Sequence, residues 1–226
     1  MTATWPWVSL LITCASALTY THTRLLVPRI AEPDDGAELG KRSYVSLGTT
    51  RELVALGVLL VVAQLMGALA PQSLWPIWMV AGSSMLVLVW VDALTTWLPT
   101  PLLALVSTEL FAAIVLSCWL SDSPTQLLAR MSVGAVGSAA LFAIVWLVSR
   151  GGFGFGDVRL APLIGAVAAS TSLTHWYVSL LAGSLVGVVL ALIPHKVAPG
   201  TKNGFAYAPS MLAGPYLACI WLAVVG

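Results

Sequence analysis

Charged side chains make up only 8% of the 226 residues, against roughly 25% in a soluble domain. An ordinary water-soluble globule is excluded. Ten Lys and Arg against nine Asp and Glu leave a formal charge of +1, so there is no field to gather a polyanion. No nucleic acid is expected as a partner. Cysteine is as sparse: Cys14, Cys118 and Cys219 lie far apart in apolar surroundings, with no C-x-x-C pair and no His at ligand spacing. They read as small core residues, and neither a disulfide framework nor a metal site is expected. Basic residues are missing from the N-terminus, Arg24 being the first. A secretory signal opens with Lys or Arg, so the first apolar run reads as a retained span. Leu11-Ile12-Thr13-Cys14 fits a lipoprotein cleavage site poorly, because of Thr13 and the missing basic start.

What is abundant is apolar: 59% of the residues are hydrophobic and ten are tryptophan. A helix needs about 20 apolar residues to cross a bilayer. Apolar runs between charge and Pro/Gly clusters give eight candidate spans, at 5–27, 52–70, 77–94, 101–120, 127–149, 158–173, 176–193 and 205–225. The expected fold is therefore all-α, a polytopic membrane helix bundle of about eight transmembrane helices forming a single integral domain over 1–226. Residues 161–193 are broken only by the polar patch at 170–175. One long tilted helix is the alternative there, but its length of about 50 Å exceeds the roughly 30 Å hydrocarbon core.

With alternating loops, nine of the ten basic residues fall on one side and only Arg130 on the other. The positive-inside rule makes that side cytoplasmic and puts both termini outside. Tryptophans prefer the headgroup level; Trp5, Trp7, Trp75, Trp78, Trp119, Trp176 and Trp221 fall near the outer boundary, and Trp90, Trp97 and Trp146 near the inner one. The longest hydrophilic stretch, 28–50, has charges of mixed sign and reads as a cytoplasmic loop too short for a domain. Gly183/Gly187 and Gly134/Ser138 have the small-xxx-small spacing of close helix packing.

Carboxylates inside an apolar membrane chain are expensive and point to function. Three qualify: Asp92, Glu109 and Asp157. Two spans separate Asp92 from Asp157, so both fall at the cytoplasmic boundary and can pair if their helices pack together. Asp157 follows Gly151-Gly152-Phe153-Gly154-Phe155-Gly156 and opens the sixth span. Gly154 and Gly156 allow backbone geometries closed to other residues, and Asp157 can cap its helix, whose dipole favours the carboxylate. The bland alternative is a plain cap after a flexible turn. A phosphate loop does not fit, because an aspartate stands where that motif has lysine. Leu98-Pro99-Thr100-Pro101 stops the third span beyond Asp92 and fixes that helix end. Glu109, in mid-span, reads as a buried acid kept protonated or paired within the bundle. His22, His175 and His195 read as boundary residues.

Gly154-Phe155-Gly156-Asp157-Val158-Arg159-Leu160 resembles the G-x-G-D-[VI]-K-L motif of the type IV prepilin peptidases, and Asp92 precedes Leu98-Pro99 at the spacing of that family's first aspartate, D-x-x-x-x-x-[IL]-P. The resemblance covers roughly 77–222, the peptidase-like core, with a looser match in the apolar tail. It implies a membrane aspartic endopeptidase of the prokaryotic cytoplasmic membrane, with no cofactor, whose partners are the bilayer and a type IV prepilin or pseudopilin precursor. Cleavage after a glycine at the cytoplasmic face would be carried by Asp92 and Asp157. Gly154 and Gly156 would help admit the substrate backbone, Pro99 would shape the turn, and Arg159 would orient the loop or balance charge. Phe155 stands for the usual Met, Arg159 for Lys and Thr100 for Asn. Longer members insert a methyltransferase domain with C-x-x-C pairs after the first span; here only 28–50 occupies that place, which implies a peptidase-only form. A dyad holding one proton would activate water. The sequence leaves the roles of the two aspartates open, the helix-start setting favouring Asp157 as ionised base. A proton- or cation-coupled transporter using the same acids is the rival reading, and an inactive assembly subunit a third.

Overall fold

The computed structural model describes residues 5–32, 42–150, 154–192 and 206–225. Among the described residues the chain is a helical bundle without strands. Its helices are α1 (Trp5–Thr21), α2 (Thr50–Gly67), α3 (Trp75–Ala81), α4 (Ser84–Thr95), α5 (Thr100–Leu120), α6 (Pro124–Ser149), α7 (Phe155–Thr171), α8 (Leu173–Leu192) and α9 (Ala208–Val225). Thr50–Gly67, Gln72–Thr95, Thr100–Leu120, Pro124–Ser149 and Leu173–Leu192 are long and apolar enough to cross a membrane. Their outward faces carry Val58, Phe111, Val136, Leu147 and Leu185, each more than half exposed. In water so large an apolar surface drives association; facing lipid tails it is matched, and the molecule is a membrane protein.

α7 and α8 are separate helices, broken where Ser172 takes an extended conformation, so the length argument over 161–193 holds. The third span differs from the single run expected. It is two helices, α3 and α4, interrupted at Gly82 and Ser83. A broken helix inside a bilayer needs other groups to satisfy its freed carbonyls. Gln64 of α2 supplies one, its Nε2 donating to Met79 O at 3.2 Å, and Ser83 Oγ donates to the same oxygen at 2.6 Å.

α7 is the central helix: it packs on α6, α8, α9, α3 and α5, and its middle, Ile164 through Ser170, is buried. Its small residues allow this crowding. A Cβ on Gly165 would run into the Gly134 carbonyl oxygen and the Ser138 hydroxyl, and one on Gly134 into Gly165 O. Ser138 also accepts from Trp176 Nε1 of α8 at 2.9 Å. Gly183 meets Ser210 and Met211 of α9 in the same way. Both small-residue pairs therefore act in packing, with Gly165 as the unforeseen partner of the first.

Other expectations shift. Trp78, expected at the outer boundary, is 1% exposed and stacks on His175 with ring centroids 5.7 Å apart. Its face is covered by helices rather than headgroups. Cys14 is exposed on α1 rather than in the core. His22 and His175 stand at helix ends, as expected, but are buried: His22 Nε2 lies 3.0 Å from Glu109 Oε1, and His175 Nε2 lies 2.8 Å from Pro215 O. Glu109 is thus paired within the bundle. His195 lies outside the described residues. Arg130 donates to Ser170 O at 3.2 Å. It stands at the C-terminus of α7, where a positive charge is favoured by the helix dipole.

Candidate functional site

Asp92 ends its helix one turn before an unusual stop. Thr96 caps α4 in the left-handed region, with φ +56° and its N–H donating to Asp92 O at 2.7 Å. A β-branched residue there is strained by about 1–2 kcal/mol, as residues beside functional groups sometimes are. The turn is held by Thr95, whose Oγ1 donates to Val91 O at 2.8 Å and accepts from Trp97 N at 3.2 Å. Pro99 then caps α5 with an extended backbone, restarting the chain. Thr96→Gly relieves the strain, less the extra backbone entropy of glycine, and is expected to raise stability by up to about 1 kcal/mol, or about 2–4 °C in Tm. Thermal unfolding in detergent checks this, and a lower Tm contradicts it.

Asp157 sits in the first turn of α7, three residues inside the cap. The cap itself is Gly154, whose carbonyl accepts from Asp157 N at 3.2 Å. Asp157 is therefore not the capping residue expected, although the positive end of the dipole still acts on it. Nor does Gly154 need glycine's conformational range, since its φ is −70°. What it needs is smallness: a Cβ there would stand 3.1 Å from Asp157 Oδ2. Gly151, Gly152 and Phe153 lie outside the described residues.

The two motifs, some sixty residues apart, are fastened to each other. A Cβ on Gly156 would stand 3.1 Å from Leu98 Cβ, so the α7 backbone rests directly on the turn after Asp92. Arg159 Nη1 donates to Thr100 Oγ1 at 2.8 Å, and its Nη2 reaches Leu98 O at 3.5 Å. The guanidinium also lies over the Phe155 ring, 5.8 Å from its centroid. Arg159 thus ties the start of α7 to the start of α5, and Thr100 supplies the acceptor. Asp92 is 6% and Asp157 7% exposed, and each carboxylate lies within reach of the other's charge. Such a buried pair of like groups favours a state carrying one proton between them.

Sequence reasoning missed Tyr44. It lies in a single turn, Tyr44–Ser46, of the loop before α2, and is 2% exposed. Burial, the charge of Glu32 and the charge of Asp92 together push its hydroxyl up to about 12. The available signal was three apolar residues, Tyr44, Val45 and Leu47, inside a polar stretch, which marks a segment that docks. Among the described residues no group of three or more His, Cys, Asp or Glu is gathered for a metal ion. No family model, curated protein or solved structure matches this chain.

Proposed function

We propose that the chain is a membrane-embedded aspartic endopeptidase that removes the leader from type IV prepilin-like or pseudopilin precursors at the cytoplasmic face of a prokaryotic inner membrane. The observation that carries this reading is the burial of Asp92 and Asp157 within reach of each other's charge, beside a turn fastened by Arg159. Eight spans with both termini outside, as the distribution of Lys and Arg favours, would give the pair its cytoplasmic placement.

The dyad begins with one proton. The ionised aspartate takes a proton from water as the water oxygen bonds to the scissile carbonyl carbon, while the protonated one hydrogen-bonds the developing oxyanion. Collapse of the tetrahedral intermediate breaks the C–N bond, and the leaving nitrogen takes up a proton from the dyad. Either aspartate can take either part in this scheme. The loop 28–50 has no C-x-x-C pair, so the product's new N-terminus is expected without N-methylation by this chain.

Coexpression with a prepilin or pseudopilin precursor, followed by mass spectrometry of the product, tests the proposal. The expected product begins just after the glycine preceding the apolar helix. A precursor left intact, or cut elsewhere, contradicts it. A proton- or cation-coupled transporter would instead show flux without cleavage; the engagement of Glu109 by His22 weighs against a relay joining all three acids.

A further inference from the structure

Three helices enclose a groove that the acid pair does not use. Leu86, Val89, Trp90 and Ala93, spaced i, i+3, i+4 and i+7, form one face of α4 along it. α9 supplies a second wall from Pro209 to Ile220, and α2 a third that includes Val62. The lining is almost wholly apolar: Tyr216 contributes its ring, while its hydroxyl oxygen is buried. At the rim Leu59, Val62 and Ile220 are about half exposed, so the groove opens sideways, towards the lipid tails.

Its dimensions decide what can lie there. The groove holds about 490 Å³, or about 1100 Å³ counted out to its open mouth. From Pro209 to Ile220 it follows α9 for roughly 16 Å, about one leaflet of a hydrocarbon core roughly 30 Å thick. Over that length the two volumes give cross-sections of roughly 30 and roughly 70 Å², against roughly 80–110 Å² for a helix 10–12 Å across. A helix of a second copy or of a substrate is too thick to lie within it. Water finds almost no hydrogen-bonding partner on such walls. A single chain of methylene groups fits both the width and the chemistry, and its contact with three walls gathers dispersion attraction along its whole length.

We propose that α2, α4 and α9 hold one acyl chain of a membrane phospholipid as a resident, lying along α9 between Pro209 and Ile220. The site goes beyond the peptidase reading and does not depend on it. Lipid elsewhere, at Val136 of α6 or Leu185 of α8 for example, meets an exposed helix face and exchanges freely with the bilayer. A chain walled in by three helices exchanges slowly. Because it binds the folded bundle and not the unfolded chain, it also stabilises the fold by mass action. It packs on the turn of α4 that carries Asp92, since Ala93 is the next residue.

The test uses the full chain in nanodiscs of phosphatidylethanolamine and phosphatidylglycerol, doped with a phospholipid whose acyl chain carries a photoreactive diazirine. The loaded protein is exchanged into unlabelled lipid, irradiated and digested, and the adducts are located by mass spectrometry. After exchange, adducts on the groove faces of α2, α4 and α9 are expected to exceed those at Val136 and Leu185 by about tenfold or more. Ala213→Phe and Val62→Phe narrow the groove from α9 and from α2, and each is expected to lower the groove adducts by about tenfold. Adducts at Val136 and Leu185 before exchange are expected to stay unchanged. An even spread over all exposed helices in the unsubstituted chain overturns the proposal, however the variants fold. So do groove adducts that survive both substitutions. A benzophenone amino acid at position 217, on the α9 wall, gives a second reading: a lipid adduct supports the resident chain, and a crosslink to a second copy of the protein overturns it.

Discussion

On the proposed peptidase reading, Asp92→Asn and Asp157→Asn are each expected to reduce precursor cleavage by about a thousandfold or more, with the double variant no worse than either single one. In the proposed dyad the two carboxylates would share one task, and groups that act as a unit show strongly non-additive losses. An amide in either place can neither take a proton from water nor pass one to the leaving nitrogen. Stability behaves differently. Both side chains are buried, and an amide in place of one carboxyl nearly preserves shape and frees the site from having to hold a proton between two like groups. The unfolding temperature of each single variant is expected to hold or to rise. Cleavage by quantified, membrane-inserted protein checks the first expectation and thermal unfolding the second. Retention of even a tenth of wild-type activity by either variant contradicts the dyad.

Gly165→Leu has the second large effect, through the fold. A single Cβ at this position already meets the Gly134 carbonyl and the Ser138 hydroxyl, both on α6, and backbone cannot swing aside as the end of a long side chain does. The isobutyl group must push α6 and α7 apart, costing about 3 kcal/mol or more, a sizeable part of a typical stability of 5–15 kcal/mol. Separation also withdraws Ser138 from Trp176. Since α7 carries Asp157 and Arg159 at its start, folded yield and activity are expected to fall together. Gly57→Ala provides the contrast, because a Cβ there meets nothing within 4 Å; its stability is expected within about 1 kcal/mol of wild type. Comparable thermal stability for the two variants contradicts the packing argument.

Much of this fold was legible because a bilayer constrains length so tightly. Every candidate span corresponds to helix, and the division at Ser172 followed from the impossibility of fitting 33 residues as one straight crossing. The break at Gly82 was hidden because both flanks are apolar and the compensating donor, Gln64, comes from another helix. The pairing of His22 with Glu109 was hidden for a similar reason: spans that lie far apart in sequence reveal nothing of their rotation about their own axes.

At the site, the motif spacing brought out Asp92, Asp157 and the turn at Pro99, and the structure joins these segments through Gly156 and Arg159. The reason for the glycines was misread. Gly154 and Gly156 are wanted for the room they leave to Asp157 and Leu98, since φ at Gly154 is ordinary. Tyr44 escaped notice because its neighbours are mostly polar, and only the fold brings a loop near position 44 against the turn after position 92.

Proximity of the two aspartates is the central claim, and chemical crosslinking reads it most directly. In a chain whose Cys14, Cys118 and Cys219 are replaced by serine, the Asp92→Cys/Asp157→Cys double variant is treated in membranes with a short thiol-specific bifunctional reagent. Leu98→Cys/Gly156→Cys serves as the control for the neighbouring contact. The expected result is an intramolecular link between positions 92 and 157, found by mass spectrometry of the digested chain. A link at 98 and 156 with none at 92 and 157, although both of the latter thiols are labelled singly, contradicts the account.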